Sequence, residues 1–167
     1  MPQESISIGV IVEKRKSSNP WISHTWGAIG VVPGHSEASP LSLLGREGDV
    51  ERYYLGASTL VVFSAETANY RDNLHSGSPK LWVVMRQDEH DGTVFLVAIT
   101  ADPSEGEGYA ESECNLVDVV PMPPDIVTML SDFVAEHHVE REFFKRKRDR
   151  IDPSAQGHGR RDRTNQG

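Results

Sequence analysis

Cysteine is almost missing: Cys114 is the single one in 167 residues. A disulfide framework is therefore impossible, and a structural zinc site built on thiolates is not expected. Long apolar runs are missing too. None approaches the ~18–20 residues that a membrane helix needs. The opening Met1-Pro2-Gln3-Glu4-Ser5 lacks the positive region and apolar stretch of a signal peptide. These absences point to a cytoplasmic location with no membrane partner. The phosphate-cradling pattern G-x-x-x-x-G-K-[ST] does not occur, and the densest glycine stretch, Gly106-Glu107-Gly108, is acidic and repels phosphate. The nucleophile elbow G-x-S-x-G is absent as well; Gly34-His35-Ser36 and His75-Ser76-Gly77 match only parts of it. No catalytic residue and no cofactor is expected on these grounds, and whether the chain is an enzyme is left open, leaning against.

Positive charge is scarce in the body. Residues 1–139 carry 8 Lys/Arg against 20 Asp/Glu, a formal −12. It concentrates at the end: residues 140–167 carry 9 Lys/Arg and 5 Asp/Glu, giving +4. Such asymmetry marks an interaction tail, or a tail that lies on its own acidic body. With 37% hydrophobic residues the chain has material for one modest core. Three regions are expected: a single α+β domain over 1–139, a basic extension over 140–151, and a disordered tail over 152–167. The tail has little apolar surface to offset the entropy of ordering.

Ile6, Ile8, Val10 and Val12 alternate with polar or small residues, a period of two that predicts a strand with one buried face. A polar turn over 14–20 ends it. A second strand is expected over 25–32, stopped by Pro33-Gly34. Residues 35–49 read as a long loop with one helical turn. Residues 50–55 and 59–63 read as a hairpin around Gly56-Ala57-Ser58. A short helix is expected over 65–74. The apolar runs 81–85 and 94–99 flank the polar turn Asp88-Glu89-His90-Asp91-Gly92 and predict a hairpin at the sheet centre. One helical turn is expected within 102–112, and a last strand over 115–120. Beyond Pro121-Met122-Pro123-Pro124, the residues Ile126, Met129, Leu130, Phe133 and Val134 recur at helical spacing, a stripe for packing on the sheet. About seven short strands followed by one amphipathic helix favour a small antiparallel sheet, rolled or barrel-like.

Several residues invite a chemical reading. Cys114 is either a nucleophile or an ordinary thiol; Glu111 and Glu113 beside it disfavour the thiolate. His137 and Glu140 stand at i, i+3 and can share a metal, but two ligands do not make a site, and no metal is expected. Trp21 and Trp26 flank His24. They either anchor a partner or form a core-and-lid pair. Trp82 reads as core. The polar run over 66–73 either lines a groove or is a solvated helix face. A pocket near His24, Tyr70 and Arg71 is the alternative to partner binding. The sharpest local feature is Phe143-Phe144 followed by Lys145, Arg146, Lys147, Arg148 and, after Asp149, Arg150. Cations with aromatics can bind nucleic acid. The acidic body opposes a polyanion, so an acidic protein surface is the expected target.

Taken together, Asn19-Pro20-Trp21 with Trp26, Val31-Val32-Pro33-Gly34, Glu66-Thr67 with Tyr70-Arg71 and Asn73-Leu74, Val120-Pro121-Met122-Pro123, and Phe144-Lys145-Arg146-Lys147-Arg148 resemble an uncharacterised family of small proteobacterial proteins. That family is often encoded beside formate dehydrogenase and molybdenum-cofactor accessory genes. The resemblance implies an accessory or maturation role for such a molybdoenzyme. It implies a protein partner, either a molybdoenzyme subunit or a maturation factor. It carries over no catalytic residue. The partner-contact residues expected from the chain itself are Trp21, Trp26, Phe143, Phe144, Lys145, Arg146, Lys147 and Arg148.

Overall fold

The structure, a computed structural model, describes residues 2–34 and 36–138. The regions 140–151 and 152–167 therefore lie outside the described residues, as do Val139 and His35. Within them the order is β1 (Gln3–Lys16), β2 (His24–Pro33), β3 (Ser42–Glu47), β4 (Val50–Phe63), α1 (Thr67–Leu74), β5 (Lys80–Gln87), β6 (Val94–Thr100), α2 (Pro103–Ala110), β7 (Leu116–Pro121) and α3 (Pro124–His137). A single 3₁₀ turn, Ser64–Glu66, leads into α1.

The strands form two antiparallel sheets, ordered β2-β1-β4-β3 and β6-β5-β7. This corrects the barrel-like expectation: the described strands form two open sheets and no closed barrel. β6 lies against β4 and β2 against β7, but no strand ladder joins the sheets. One core fills the space between them. Ile8, Val10 and Val12 from β1 and Leu60 and Val62 from β4 meet Leu81, Val83 and Met85 from β5. The period of two in β1 is thus the buried face it predicts. β1, β4 and β5 thus turn apolar faces into one shared layer, which Val94 and Ile99 of β6 and Val120 of β7 extend, the arrangement in which the hydrophobic effect outweighs the entropy of ordering.

Three local expectations are corrected. Residues 42–47 are a strand, not loop; β3 pairs with β4 through the two-residue turn Gly48-Asp49, with Gly48 at φ +60°. A glycine at the first central position is what such turns favour. Residues 50–63 are one strand, not a hairpin. Gly56, Ala57 and Ser58 pair with Val10, Gly9 and Ile8, and the register shifts by one residue beside them. Gly56 at φ +137° absorbs that bulge. In the second sheet only β5 is central; β6 is an edge.

The sheets carry three helices: the short one expected over 65–74 is α1, the helical turn expected within 102–112 is α2, and the C-terminal amphipathic helix is α3. α3 buries Ile126, Leu130, Phe133 and Val134, with Met129 partly covered, as its stripe predicts. α2 is a full two-turn helix. Asp102 caps it, accepting from the Ser104 and Glu105 backbone N–H groups at 2.9 and 3.4 Å. α2 also corrects the reading of Trp82, which is half-buried on the outer face of β5 rather than in the core. Gly106 sits so close that a Cβ there would lie 2.3 Å from the indole Cγ. No helix among the described residues is long and apolar enough to cross a membrane.

Asn73 ties α1 to the second sheet. Its side-chain N–H₂ donates to the Lys80 and Ala101 carbonyls at 2.8 and 2.9 Å, and its Oδ1 accepts from the Lys80 N–H at 3.0 Å. A buried amide with three partners costs nothing in unmet hydrogen bonds and holds the base of the β5–β6 hairpin.

Candidate functional site

α1 and α3 run side by side and leave a groove of about 480 Å³ between them. Arg71, Leu74 and His75 form one wall, and Val127, Ser131, Val134 and Ala135 form the other. His138, which caps α3 in an extended conformation, closes one end. The α3 wall, at i, i+4, i+7 and i+8, borders the buried stripe and shares Val134 with it. Its mixture of valine, serine and alanine hides it from a hydrophobic-periodicity reading.

His138 is held from two sides. Its Nε2 lies 3.1 Å from Arg71 Nη1, and its Nδ1 lies 3.0 Å from Thr67 Oγ1. A guanidinium only donates, so Nε2 accepts. The Thr67 hydroxyl donates to the Ser64 carbonyl at 3.2 Å, which leaves its oxygen to accept from Nδ1–H. The contacts therefore select the tautomer with the proton on Nδ1. They join the end of α3 to α1 at the mouth of the groove.

The expected pocket residues part company here. Arg71 lines the groove. Tyr70, its neighbour, does not: its phenol is buried and accepts from the Phe63 N–H at 3.1 Å. Burial pushes the Tyr70 phenol above its ordinary pKa, with the Phe63 hydrogen bond opposing and Asp102, Glu105 and Glu66 adding to the rise. His24 begins β2, opposite Lys16 in the first sheet, and does not line the groove. The polar run over 66–73 is not a wholly solvated helix face: only Ala68 and Asp72 in it are exposed. Arg71 faces the groove, while Thr67, Tyr70 and Asn73 are buried.

Behind α1, Asn69 donates to Glu66 Oε2 and Asp102 Oδ2, both at 3.2 Å. Burial first, then Asp102 and Glu66, raise the Glu105 carboxyl above its ordinary pKa. Among the described residues no group of three or more His, Cys, Asp or Glu side chains is placed to hold a metal ion. His137 packs on Phe133, ring centroids 4.6 Å apart, with its Nε2 3.7 Å from Glu136 Oε2. Its expected co-ligand Glu140 lies outside the described residues. Cys114 is exposed.

The two flanking tryptophans do different work. Trp26 is half-buried and fully engaged. Its indole N–H donates to the Gly92 carbonyl at 3.0 Å, its ring meets Tyr53 at 5.6 Å, and Lys14 Nζ sits 5.3 Å from the ring centroid. It joins β2 to the tip of the β5–β6 hairpin. Trp21 is 91% exposed on the β1–β2 turn, beside Ile22 at 49%. The turn is ordered from within: Asn19 Oδ1 accepts from the Trp21 N–H at 3.0 Å, and the Asn19 carbonyl accepts from the Ile22 N–H at 3.1 Å. Phe143, Phe144, Lys145, Arg146, Lys147 and Arg148 lie outside the described residues.

A second cavity, about 410 Å³, opens beside the Gly56 bulge between Leu41, Leu55 and the start of β6 at Val94. It brings none of the expected site residues together. A family described as "Protein of unknown function (DUF3305)" matches residues 7–148. No curated protein and no solved structure matches the chain.

Proposed function

The chain belongs to the DUF3305 family, and from that premise we propose that it is a non-enzymatic accessory or maturation protein for a formate dehydrogenase-like molybdoenzyme. It acts through protein–protein contacts in the cytoplasm. The resemblance to proteobacterial proteins encoded beside formate dehydrogenase genes supports the choice of partner. One observation carries the mode of action: Trp21, 91% exposed, with Ile22 beside it on an internally bonded turn. A large rigid side chain presented in this way loses little entropy on docking and buries much area, the character of an interface hot spot. The basic segment near Phe143 and Phe144 supplies charge for an acidic partner surface.

Affinity capture from the native host with the tagged full chain tests this. The expected result is a molybdoenzyme subunit or a cofactor-maturation protein, retained by the wild type and lost with Trp21→Ala. Capture of neither class by the wild type overturns the proposal.

A second reading, a small-ligand-binding or enzymatic domain, has one observation in its favour. Arg71 faces a cavity of a size that holds small molecules. Thermal stabilisation by an anionic small molecule, abolished in Arg71→Ala, is its expected signature. The same stabilisation in Arg71→Ala removes it.

A further inference from the structure

The cavity beside the Gly56 bulge carries an inference that goes beyond the partner reading and does not depend on it. We propose that it binds a small apolar molecule bearing one protonated amine. The apolar part lies between β4 and β6, and the ammonium meets Asp88.

The cavity exists where a strand ladder is missing. β3 pairs with β4 only as far as the Ser42–Tyr54 pair. Past that point β4 pairs with β1, and β6 pairs with β5. β6 packs against β4, yet no ladder joins them. The space at this seam is about 410 Å³, a size that holds small molecules.

Two uncommon backbone conformations line it. Leu41, at φ +60°, is the one non-glycine residue with positive φ among the described residues. A bulky side chain rarely enters that region, and strain of this kind clusters at ligand sites. Gly56 stands at φ +137°, where a Cβ is disfavoured. Pro40 closes on the bulge: its Cβ and Cγ lie 4.0 Å from the place of a Gly56 Cβ. Leu41, Pro40 and Gly56 all face the same cavity.

The lining selects the ligand. Leu41, Leu55, Val94, Phe95 and Leu96 make it apolar, and Leu55 and Val94 are anchored in the core. Asp88 is its one charged side chain. Asp88 Oδ1 accepts from the His90 and Asp91 N–H groups at 2.7 and 3.4 Å, which fixes the carboxylate on its turn. Among the described residues Oδ2 has no hydrogen-bond donor, and the carboxylate has no cation. Glu89 and Asp91 beside it add negative charge. An apolar ammonium satisfies both the wall and the open oxygen. A neutral apolar molecule dehydrates that oxygen without replacing its hydrogen bonds, and an anion is repelled.

Titration of the full chain with 4-phenylbutylamine tests this, followed by amide NMR shifts and compared with the neutral 4-phenyl-1-butanol. The amine should bind saturably, with its largest shifts at residues 41, 55–57 and 93–96. It should bind at least about tenfold more tightly than the alcohol. Asp88→Asn keeps the Oδ1 acceptor, and with it the turn, and should remove the amine's advantage. Leu41→Gly takes up the positive φ without strain and deletes an apolar wall. It should weaken both probes about threefold or more. No saturable binding of the amine below about 10 mM overturns the proposal. So do equal affinities of amine and alcohol for the wild type, an advantage that survives Asp88→Asn, or undiminished affinity in Leu41→Gly. Largest shifts at residues 71–75 and 127–135 also overturn it, by assigning the ligand to the groove between α1 and α3.

Discussion

Asp118 of β7 accepts a hydrogen bond from the backbone N–H of Ala28 in β2 at 2.8 Å, across the gap between the two sheets. Ala28 stands where the β1–β2 register shifts, a place where the ladder with β1 is interrupted. One carboxylate thus meets a backbone group at the bulge and fastens β2 to β7. Asp118→Ala should lower unfolding stability by about 1–3 kcal/mol, the cost of stranding a partly buried N–H. Denaturant titration checks it; a change under about 0.5 kcal/mol would show that the bond is dispensable.

Gly106 and Trp82 offer a contest between two effects. Alanine is favoured over glycine inside a helix by about 1 kcal/mol. At position 106 a Cβ would lie 2.3 Å from Trp82 Cγ, so the helix must lift off the sheet. Overpacking of this kind costs about 1–3 kcal/mol and should win. Gly106→Ala is expected to lower Tm and to shift tryptophan emission to the red as Trp82 gains solvent. A higher Tm would show that α2 yields freely.

The Glu105 carboxyl sets a pH dependence. Its folded-state pKa is raised above the ordinary 4.5, mainly by burial and then by Asp102 and Glu66. A raised pKa means that the native state holds its proton more tightly. The associated stability is complete below the unfolded-state value and is lost as pH rises through the folded-state value. Glu105→Gln, which cannot ionise, should therefore raise Tm at pH 7. The gain should vanish below about pH 4. A gain that is constant over this range would assign the effect to packing instead of charge.

Trp21 and Trp26 should separate folding from function. Trp21→Ala removes an exposed ring and should change stability by less than about 0.5 kcal/mol. Trp26→Ala removes the contacts to Tyr53, Lys14 and Gly92 and should cost about 2 kcal/mol or more. Partner capture should fail in the first variant while its unfolding curve overlays the wild type. A large stability loss at Trp21 would place that residue in the fold and not in an interface.

Where the chain was legible in sequence, the reason was periodicity. β1 alternates over one buried face, and the α3 stripe recurs at helical spacing, so both could be read directly. β3 could not be. Its Ser42–Glu47 span is almost wholly exposed and held only by β4, so it carries no alternating pattern. β4 reads as two strands because Gly56-Ala57-Ser58 has the composition of a turn; pairing with Val10, Gly9 and Ile8 overrides that composition. Trp82 looked like core because its neighbours are. The short helix that covers it has too few apolar residues to announce itself. In the candidate site, Arg71 and Tyr70 could be singled out by residue type, but adjacent residues on a helix point about 100° apart. The wall formed by Val127, Ser131, Val134 and Ala135 mixes polar and apolar groups, so no single pattern marks it.

The Asn73 clasp also bears on the order in which the molecule assembles. It gathers α1, the first residue of β5 and the end of β6 within a short span of chain, from Thr67 to Ala101. The first sheet needs a longer closure, since β1 pairs Gln3 with Phe63. Loop closure costs more entropy as the loop grows, and distant pairings slow folding. The helix–hairpin unit is thus expected to nucleate, and the long β1–β4 ladder to zip onto it afterward. Under that order Val83→Ala slows refolding, whereas Val10→Ala mainly speeds unfolding. A clasp made by one amide side chain would then act as a timing device, giving the second sheet a head start over the first.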